Sequence, residues 1–375
     1  MTTSTAGGTR HRALAELMLR ADLDAAVVSS YELVSYLAGT DIRSQLLLPA
    51  RPAFYLQTRT GRRAVLVCDI EESQVRAQQP DLEVHSYVEF AEDPGHRLAE
   101  VVGALTPGRE SGDLRIGADL SVLPAGVDRA LRPATVVPAD AELTGLASAK
   151  SAAEIDQVSA LATGLLGCLD RALAQVGAGG TEADYSRALT GQIAAAGALP
   201  LFVFFASGPR TALGHPEADP APMAAGAIWR TDFGARTAGG MTGDVARTGV
   251  VGEASPVQRE VFAALRAAQD EVVAAAEVGR PAGDLFRVCR ESFRRNGLPF
   301  RMPHVGHGIG LGVHEAPLLE PANRTPLAAG TALMIEPFAI LTDRAEGYHT
   351  EDLMVVTEDG PRRLTVPQDE LLVIG

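Results

Sequence analysis

Five residues of the types that bind divalent cations stand in order along the second half of this chain. Asp232 lies in TDFG, Asp244 in TGDVART, His307 in PHVGHGIGLGVHEAP, Glu336 in MIEP and Glu351 in HTEDLMVVTEDG. Carboxylate oxygens suit such ions, and an imidazole in the set turns the choice toward Mn²⁺, Co²⁺, Fe²⁺ or Zn²⁺. Carboxylates also bridge readily, so two Asp, one His and two Glu form a candidate five-ligand site for a pair of metal ions. Asp232 and Asp244 are twelve residues apart across the turn-rich ARTAGGMTG, which lets two strands of one hairpin aim both carboxylates at one point. Glu336 ends an apolar strand that Pro337 halts, and Glu351 opens the strand LMVVT.

Each residue alone is ordinary. A strand-end Asp beside Gly is commonly a turn residue, and a lone loop His is commonly satisfied where it stands. The case rests on order and local context taken together. Two rival chemistries fail on spacing: Leu311 and Val313 occupy the third glycine position of a GxGxxG nucleotide loop, and His314-Glu315 is followed by Ala-Pro-Leu-Leu where a zinc HExxH motif needs a second His.

The elements that must hold these residues read as follows. His11–Arg20 patterns as an amphipathic helix and Ala25–Ser29 as a buried strand, followed by short apolar runs at Gln45–Leu48, Ala53–Tyr55 and Ala64–Val67. The pattern loosens between 134 and 149. Ser151 with Glu154 three residues on is a capping box, opening a long helix with the stripe Ile155, Val158, Ala162, Leu165, Leu169 and Val176. Thr181 opens a second helix to about Ala196, Ser255-Pro256 a third to Gly279, and Asp284–Asn296 is a fourth ended by Gly297. Strand candidates fall at 227–234, 248–251, 331–335 and 353–357. The second half is therefore expected to be α+β, with helices covering one face of a mixed, strongly bent sheet.

A chain of 375 residues exceeds a single comfortable core, so two domains are expected, 1–145 and 146–375. The net charge of −14, with scattered Arg, argues against a nucleic-acid partner. No run reaches the eighteen apolar residues of a membrane span, and MTTSTAGGTRHR has no apolar h-region after its basic residues, so neither a span nor a signal peptide is expected. Cys68, Cys168 and Cys289 are few and far apart, as buried free thiols of a reducing cytoplasm would be.

Taken together, GHGIG, the VHE after it, IEP and ED…VTEDG resemble the pita-bread metallopeptidases, family M24, over nearly the whole second half. The first half, with SSYELVSYLAGT, is similar to the smaller α/β creatinase-type amino-terminal domain, which favours the prolidase, aminopeptidase P and creatinase branch. The resemblance implies that Asp232 chelates one ion, that Asp244 and Glu351 bridge both, and that His307 and Glu336 complete the second. It implies two substrate-facing histidines: His215, seventeen residues before Asp232, and His314, seven after His307. His304 is left as a supporting residue. A water between two cations becomes a nucleophile near neutral pH, Glu336 would carry its proton to the leaving amine, and His314 would bind the oxyanion. The implied enzyme is an Xaa-Pro dipeptidase or aminopeptidase acting on small peptides, with two ions, Mn²⁺ foremost, in a cytoplasmic homodimer.

Three positions depart from the family pattern. His349 stands where the peptidases usually have Arg, Met241 replaces the usual aromatic before the second Asp, and Arg230 occupies an apolar position two residues before Asp232, on the same strand face. An Arg there is costly unless paired, so an ion pair with a site carboxylate or Glu346, or a contact to an anionic substrate group, is expected. Arg230 and His349 are thus candidate substrate-binding residues. They keep open a small-metabolite C–N hydrolase, creatinase- or ectoine-hydrolase-like, or a metal-dependent lyase. A non-catalytic binding module is disfavoured by the retained ligand set.

Overall fold

The computed structural model describes residues 4–48 and 50–375, so the first three residues of the stretch considered for a leader lie outside it. The chain divides into two compact units, Met1–Ala147 and Ser148–Gly375. Among the described residues no helix is long and apolar enough to cross a membrane.

The first unit runs α1 (Ser4–Arg20), β1 (Ala25–Val28), α2 (Tyr31–Ala38), α3 (Arg43–Leu47), β2 (Phe54–Thr58), β3 (Arg63–Cys68), α4 (Asp69–Gln78), β4 (Glu83–Tyr87), α5 (Pro94–Leu105), β5 (Arg115–Ala118), α6 (Ala125–Ala130), β6 (Thr135–Pro138) and α7 (Asp140–Ser148). Its sheet has the order β4-β3-β2-β1-β5-β6. The strand pairs at either end, β3–β4 and β1–β5–β6, are parallel, while β2 runs antiparallel to both neighbours. β1 is apolar and buried at every position, as a strand covered on both faces must be. The Gln45–Leu48 run is different. It forms the short helix α3, and Leu46, Leu47 and Leu48 stay exposed, because a run without alternation carries no instruction to pair.

The second unit runs α8 (Ala152–Val176), α9 (Glu182–Ala195), β7 (Leu199–Ser207), β8 (Ile228–Arg236), β9 (Thr242–Val251), α10 (Pro256–Ala274), α11 (Ala282–Arg295), β10 (Gly306–Gly308), β11 (Ala332–Ile335), β12 (Phe338–Leu341), β13 (Glu346–His349), β14 (Asp352–Thr357), β15 (Gly360–Arg363) and β16 (Leu372–Ile374). Ser151, Thr181 and Ser255 each cap a helix through a complete capping box, which satisfies donors the first turn leaves open and contributes ~1 kcal/mol each. The α8 stripe of Val158, Ala162, Leu165 and Leu169 is buried against Phe233, Val245, Met334 and Leu353. Met241 joins that core, and its carbonyl accepts the Thr237 N–H at 2.8 Å.

One bent sheet was the expectation; the ladders form two four-stranded sheets and a ribbon. β16-β9-β8-β7 is one, β10-β11-β14-β15 the other, and β12–β13 pair alone. Among the described residues a single isolated bridge, Ala246 to Glu351, joins the two sheets. That bridge is where the candidate site lies.

Candidate metal centre

The β8–β9 hairpin supplies the aspartates. Its register sets Asp232 opposite Ala246 and Gly234 opposite Asp244, so the two carboxylates project from the same face with one residue pair, Phe233 and Val245, between them. The second sheet supplies the rest. His307 pairs with Met334 and Ile335 with Asp352, which leaves Glu336 and Glu351 facing each other just beyond the last ladder pair, on the face His307 shares. Glu351 N–H donates to the Ala246 carbonyl at 3.1 Å and draws the two faces together. Gly308 lets the 315–317 segment lie close beside β10: a side chain there would overlap the carbonyl of Ala316, and its N–H donates to the carbonyls of Glu315 and Pro317.

The ligand atoms converge. One oxygen or nitrogen each from Asp232, Asp244 and Glu351 lies within 4.8 Å of the other two, and the same holds for His307, Glu336 and Glu351. His307 Nε2 is 3.4 Å from both Glu336 Oε1 and Glu351 Oε1. Its Nδ1 contacts the Gly308 carbonyl at 3.0 Å, an arrangement that keeps the proton on Nδ1 and turns the Nε2 lone pair toward the carboxylates. Asp244 Oδ1, His307 Nε2, Glu336 Oε1 and Glu351 Oε1 are buried without a hydrogen-bond partner. Three carboxylates and an imidazole with unpartnered atoms, joined by Asp232 and facing one space, form a donor set that divalent ions complete and little else does. The residues fit a metal pair.

Electrostatics point the same way. Burial pushes Asp232 up to about 7 against the opposing charge of Arg230. Asp244 and Glu351 are raised well above the usual carboxylate range, by burial first, then by Glu351 on Asp244 and by Glu336 on Glu351. Burial would raise Glu336 as well, but His304 at 3.1 Å and the neighbouring rings of His307 and His349 outweigh it and take Glu336 to about 2. The metal-free cluster therefore holds protons near neutrality. For Asp232 the folded value exceeds the ordinary 3.8, so its contribution to stability is complete below about 3.8 and is lost as pH rises through about 7. His314 and His349, lowered to about 4 and about 3, act oppositely, but only below the ordinary histidine value of 6.5. Between about pH 6.5 and about pH 8.5 the melting temperature of metal-free protein should fall, and Mn²⁺ should restore it. A metal-free melting temperature that is flat or rises across that window contradicts the raised carboxylates.

The remaining sequence candidates divide. His314 stacks on His307, ring centroids 3.8 Å apart, and its nitrogen also comes within ligand range of Asp244 and His307. His215 is exposed and stacks on Phe204 at 4.5 Å, and Phe204 pairs with Asp232 across β7–β8. His349 is buried between Asp232 Oδ2 at 3.8 Å and Glu336 Oε2 at 3.9 Å, tilted against Phe338. Arg230 is 1% exposed, and burial lowers it to about 10. Its bonds run to the carbonyls of Thr211, Leu213 and Gly214 instead of to Glu346, whose carboxylate is taken by Arg344 and Tyr348. The expected ion pair with Glu346 is thereby corrected, and a guanidinium so enclosed is poorly placed to meet a substrate anion directly.

Sequence reasoning missed three supports. Lys150 Nζ, on the chain's one lysine, is buried 2.9 Å from Glu315 Oε2, and Glu315 Oε1 accepts the Gly312 N–H, clamping the loop that bears His314. Thr242 Oγ1 donates into the same loop at Gly310 and Gly312. Arg247 donates to the carbonyls of Ala246 and Glu351 and to Asp352, behind the bridge between the sheets. A lone lysine just before a capping box was the one signal available for the first.

An apolar groove of about 550 Å³ beside Val250, Phe262 and Leu371 holds none of these residues. Chemistry, not cavity size, marks the centre.

Residues 162–358 match the family model described as metallopeptidase family M24, and residues 10–148 match the creatinase/prolidase N-terminal domain. The chain is 36% identical over 168 residues to an Xaa-Pro dipeptidase of Pyrococcus furiosus, covering 44% of this chain and 48% of that one. It is 31% identical over 257 residues to "Probable dipeptidase PepE" of Mycobacterium bovis, covering 68% and 65%. The matched stretch thus spans about half the length of the curated Xaa-Pro dipeptidases. The crystal structure of dipeptidase PepE from Mycobacterium ulcerans superposes with a TM-score of 0.85 at 27% identity, covering 100% of this chain and 99% of that one.

Proposed function

The chain belongs to metallopeptidase family M24, and from that premise we propose that it is a dinuclear metal-dependent hydrolase cleaving the Xaa-Pro amide bond of short peptides. The observation that carries the proposal is the set of buried, unpartnered ligand atoms on Asp244, His307, Glu336 and Glu351, closed by Asp232. Asp232, Asp244, His307, Glu336 and Glu351 would hold two divalent ions, Mn²⁺ by preference. Bound there, the ions would supply a water acidic enough to attack an amide near neutral pH and a positive charge for its carbonyl.

The chain's own groups do the rest. Glu336 is a carboxylate within the cluster that can take the proton of the attacking water and release it to the departing amine nitrogen. His304 Nδ1 lies beside it, 3.1 Å from its Oε1. His314 is neutral at physiological pH, so its ring N–H can donate to the oxygen that gains charge as the carbonyl carbon becomes tetrahedral. His215, stacked on Phe204, forms the wall at the substrate's other side. His349 fills the space where a peptidase Arg would stand; its buried ring favours an uncharged or apolar substrate portion beside Phe338.

We also place the protein in the cytoplasm as a homodimer. Three buried free thiols suit a reducing compartment, and the dimer rests on resemblance to the family; sedimentation of the purified chain tests the latter.

The deciding assay offers Mn²⁺-loaded protein a panel of Xaa-Pro dipeptides and tripeptides and follows proline or the released amino-terminal residue. Turnover of at least one is expected, abolished by chelation. If none is cleaved while a non-peptide amide or amidine is, the small-metabolite reading replaces this one.

A further inference from the structure

We infer that Arg230 is a positioning residue for His215, fixing the loop that carries this histidine to the strand that carries Asp232. The inference rests on the reading of His215 as a substrate-facing group.

The loop in question begins with a short 3-10 turn, Gly208–Ala212, at the end of β7. One side of it is pinned by Thr211, whose side-chain hydroxyl donates to the Gly208 carbonyl at 2.6 Å and accepts the Gly347 N–H at 2.9 Å. Gly347 has to be glycine there, because a side chain would overlap the Thr211 carbonyl. Beyond Thr211 the chain leaves the core. Leu213 and Gly214 are exposed, so packing does little to hold the segment just before His215.

Arg230 supplies the missing anchor. Its Nε donates to the Thr211 carbonyl at 2.8 Å and its Nη2 to the Gly214 carbonyl at 2.5 Å and to the Leu213 carbonyl. The guanidinium lies over the Phe338 ring, 4.6 Å from its centroid, which fixes the plane of the fork. Charge-assisted bonds to three carbonyls spread over four residues define the path of that stretch, and only a forked, planar cation can make them together. An apolar residue at 230 would leave these carbonyls to water. His215 follows directly, its ring flat on Phe204, which the β7–β8 register sets opposite Asp232. Arg230 thus ties the histidine on the substrate wall to the aspartate of the metal centre through one strand.

The test uses the full-length Mn²⁺-loaded protein with Arg230→Met, Arg230→Lys, His215→Ala and the Arg230→Met/His215→Ala pair. Hydrogen exchange of peptides covering 208–217 reads positioning without any substrate. Faster exchange in Arg230→Met, partial rescue in Arg230→Lys and no change in His215→Ala are expected; unchanged exchange in Arg230→Met overturns the inference. With an Xaa-Pro substrate, Arg230→Met should lower kcat/KM by roughly 10- to 100-fold at unaltered ion content, the scale of a group displaced by about 1 Å. The same substitution should do nothing further once His215 is alanine. Full additivity in the pair, or loss of ions in Arg230→Met, also overturns it. If Arg230→Met does not fold, Arg230→Lys carries both readouts. A parent protein inactive on every Xaa-Pro peptide would defeat the proposed substrate while leaving the exchange result to decide on Arg230.

Discussion

Asp244→Asn should cut turnover by more than ~100-fold and strip the protein of bound ions, yet raise the melting temperature of the metal-free chain. Loss of an outer partner of a metal site typically costs 10- to 100-fold, and loss of a carboxylate proposed to bind the ions directly should exceed that scale of ~100-fold. Asp244 is fully enclosed, its Oδ1 has no partner, and it belongs both to the group with Asp232 and Glu351 and to the group with His307 and His314. The amide has the carboxylate's shape but cannot neutralise a dication. Without metal the same change removes one of several buried carboxylates that repel each other, Glu351 foremost, so the empty site becomes less strained. Metal analysis, steady-state rates and thermal melting in the presence of a chelator together check all three effects. An Asn variant that keeps the parent's ion content and a rate within a few-fold would sink its role as a direct ligand.

His314→Ala should lower kcat by about 10²- to 10³-fold while leaving ion content unchanged, the penalty typical of removing one donor to a developing oxyanion. The ring is neutral well below physiological pH, because desolvation first and then the neighbouring His307 lower it to about 4. Its N–H is therefore available throughout the working range, and the loss in the alanine variant should be independent of pH between about 6 and about 9. The geometry supplies a sharp alternative, since a His314 nitrogen also lies within ligand range of Asp244 and His307. An alanine variant that loses an ion would assign His314 to the metal set instead, and the accompanying fall in activity would then be rescued by raising Mn²⁺.

Much of the fold was legible because its signals are local. Ser151, Thr181 and Ser255 announced their helices through short-range capping chemistry, and each forms the complete box. The Asp232–Asp244 hairpin followed from a turn-rich spacer of the right length. Gln45–Leu48 was illegible for the opposite reason: three consecutive leucines without alternation fit a strand or a helical turn equally, and tertiary context chose the turn. β7 escaped attention because, lying at the edge of its sheet, it keeps Leu199 and Leu201 exposed and its burial alternates only weakly.

At the candidate centre, the sequence by itself determined which side chains could bind metal, their order, and the small residues that let two backbones meet at Gly308. Residue type and spacing encode these directly. Tertiary structure alone decided what the other polar residues do: that His304 leans on Glu336, that Lys150 reaches Glu315 across 165 positions, and that Arg230 serves the loop before His215. Those partnerships depend on how two sheets meet at the Ala246–Glu351 bridge and on where a buried charge finds its nearest acceptor. A buried cation must be satisfied by something, but the linear chain does not say whether that something is a carboxylate, a substrate or three main-chain carbonyls.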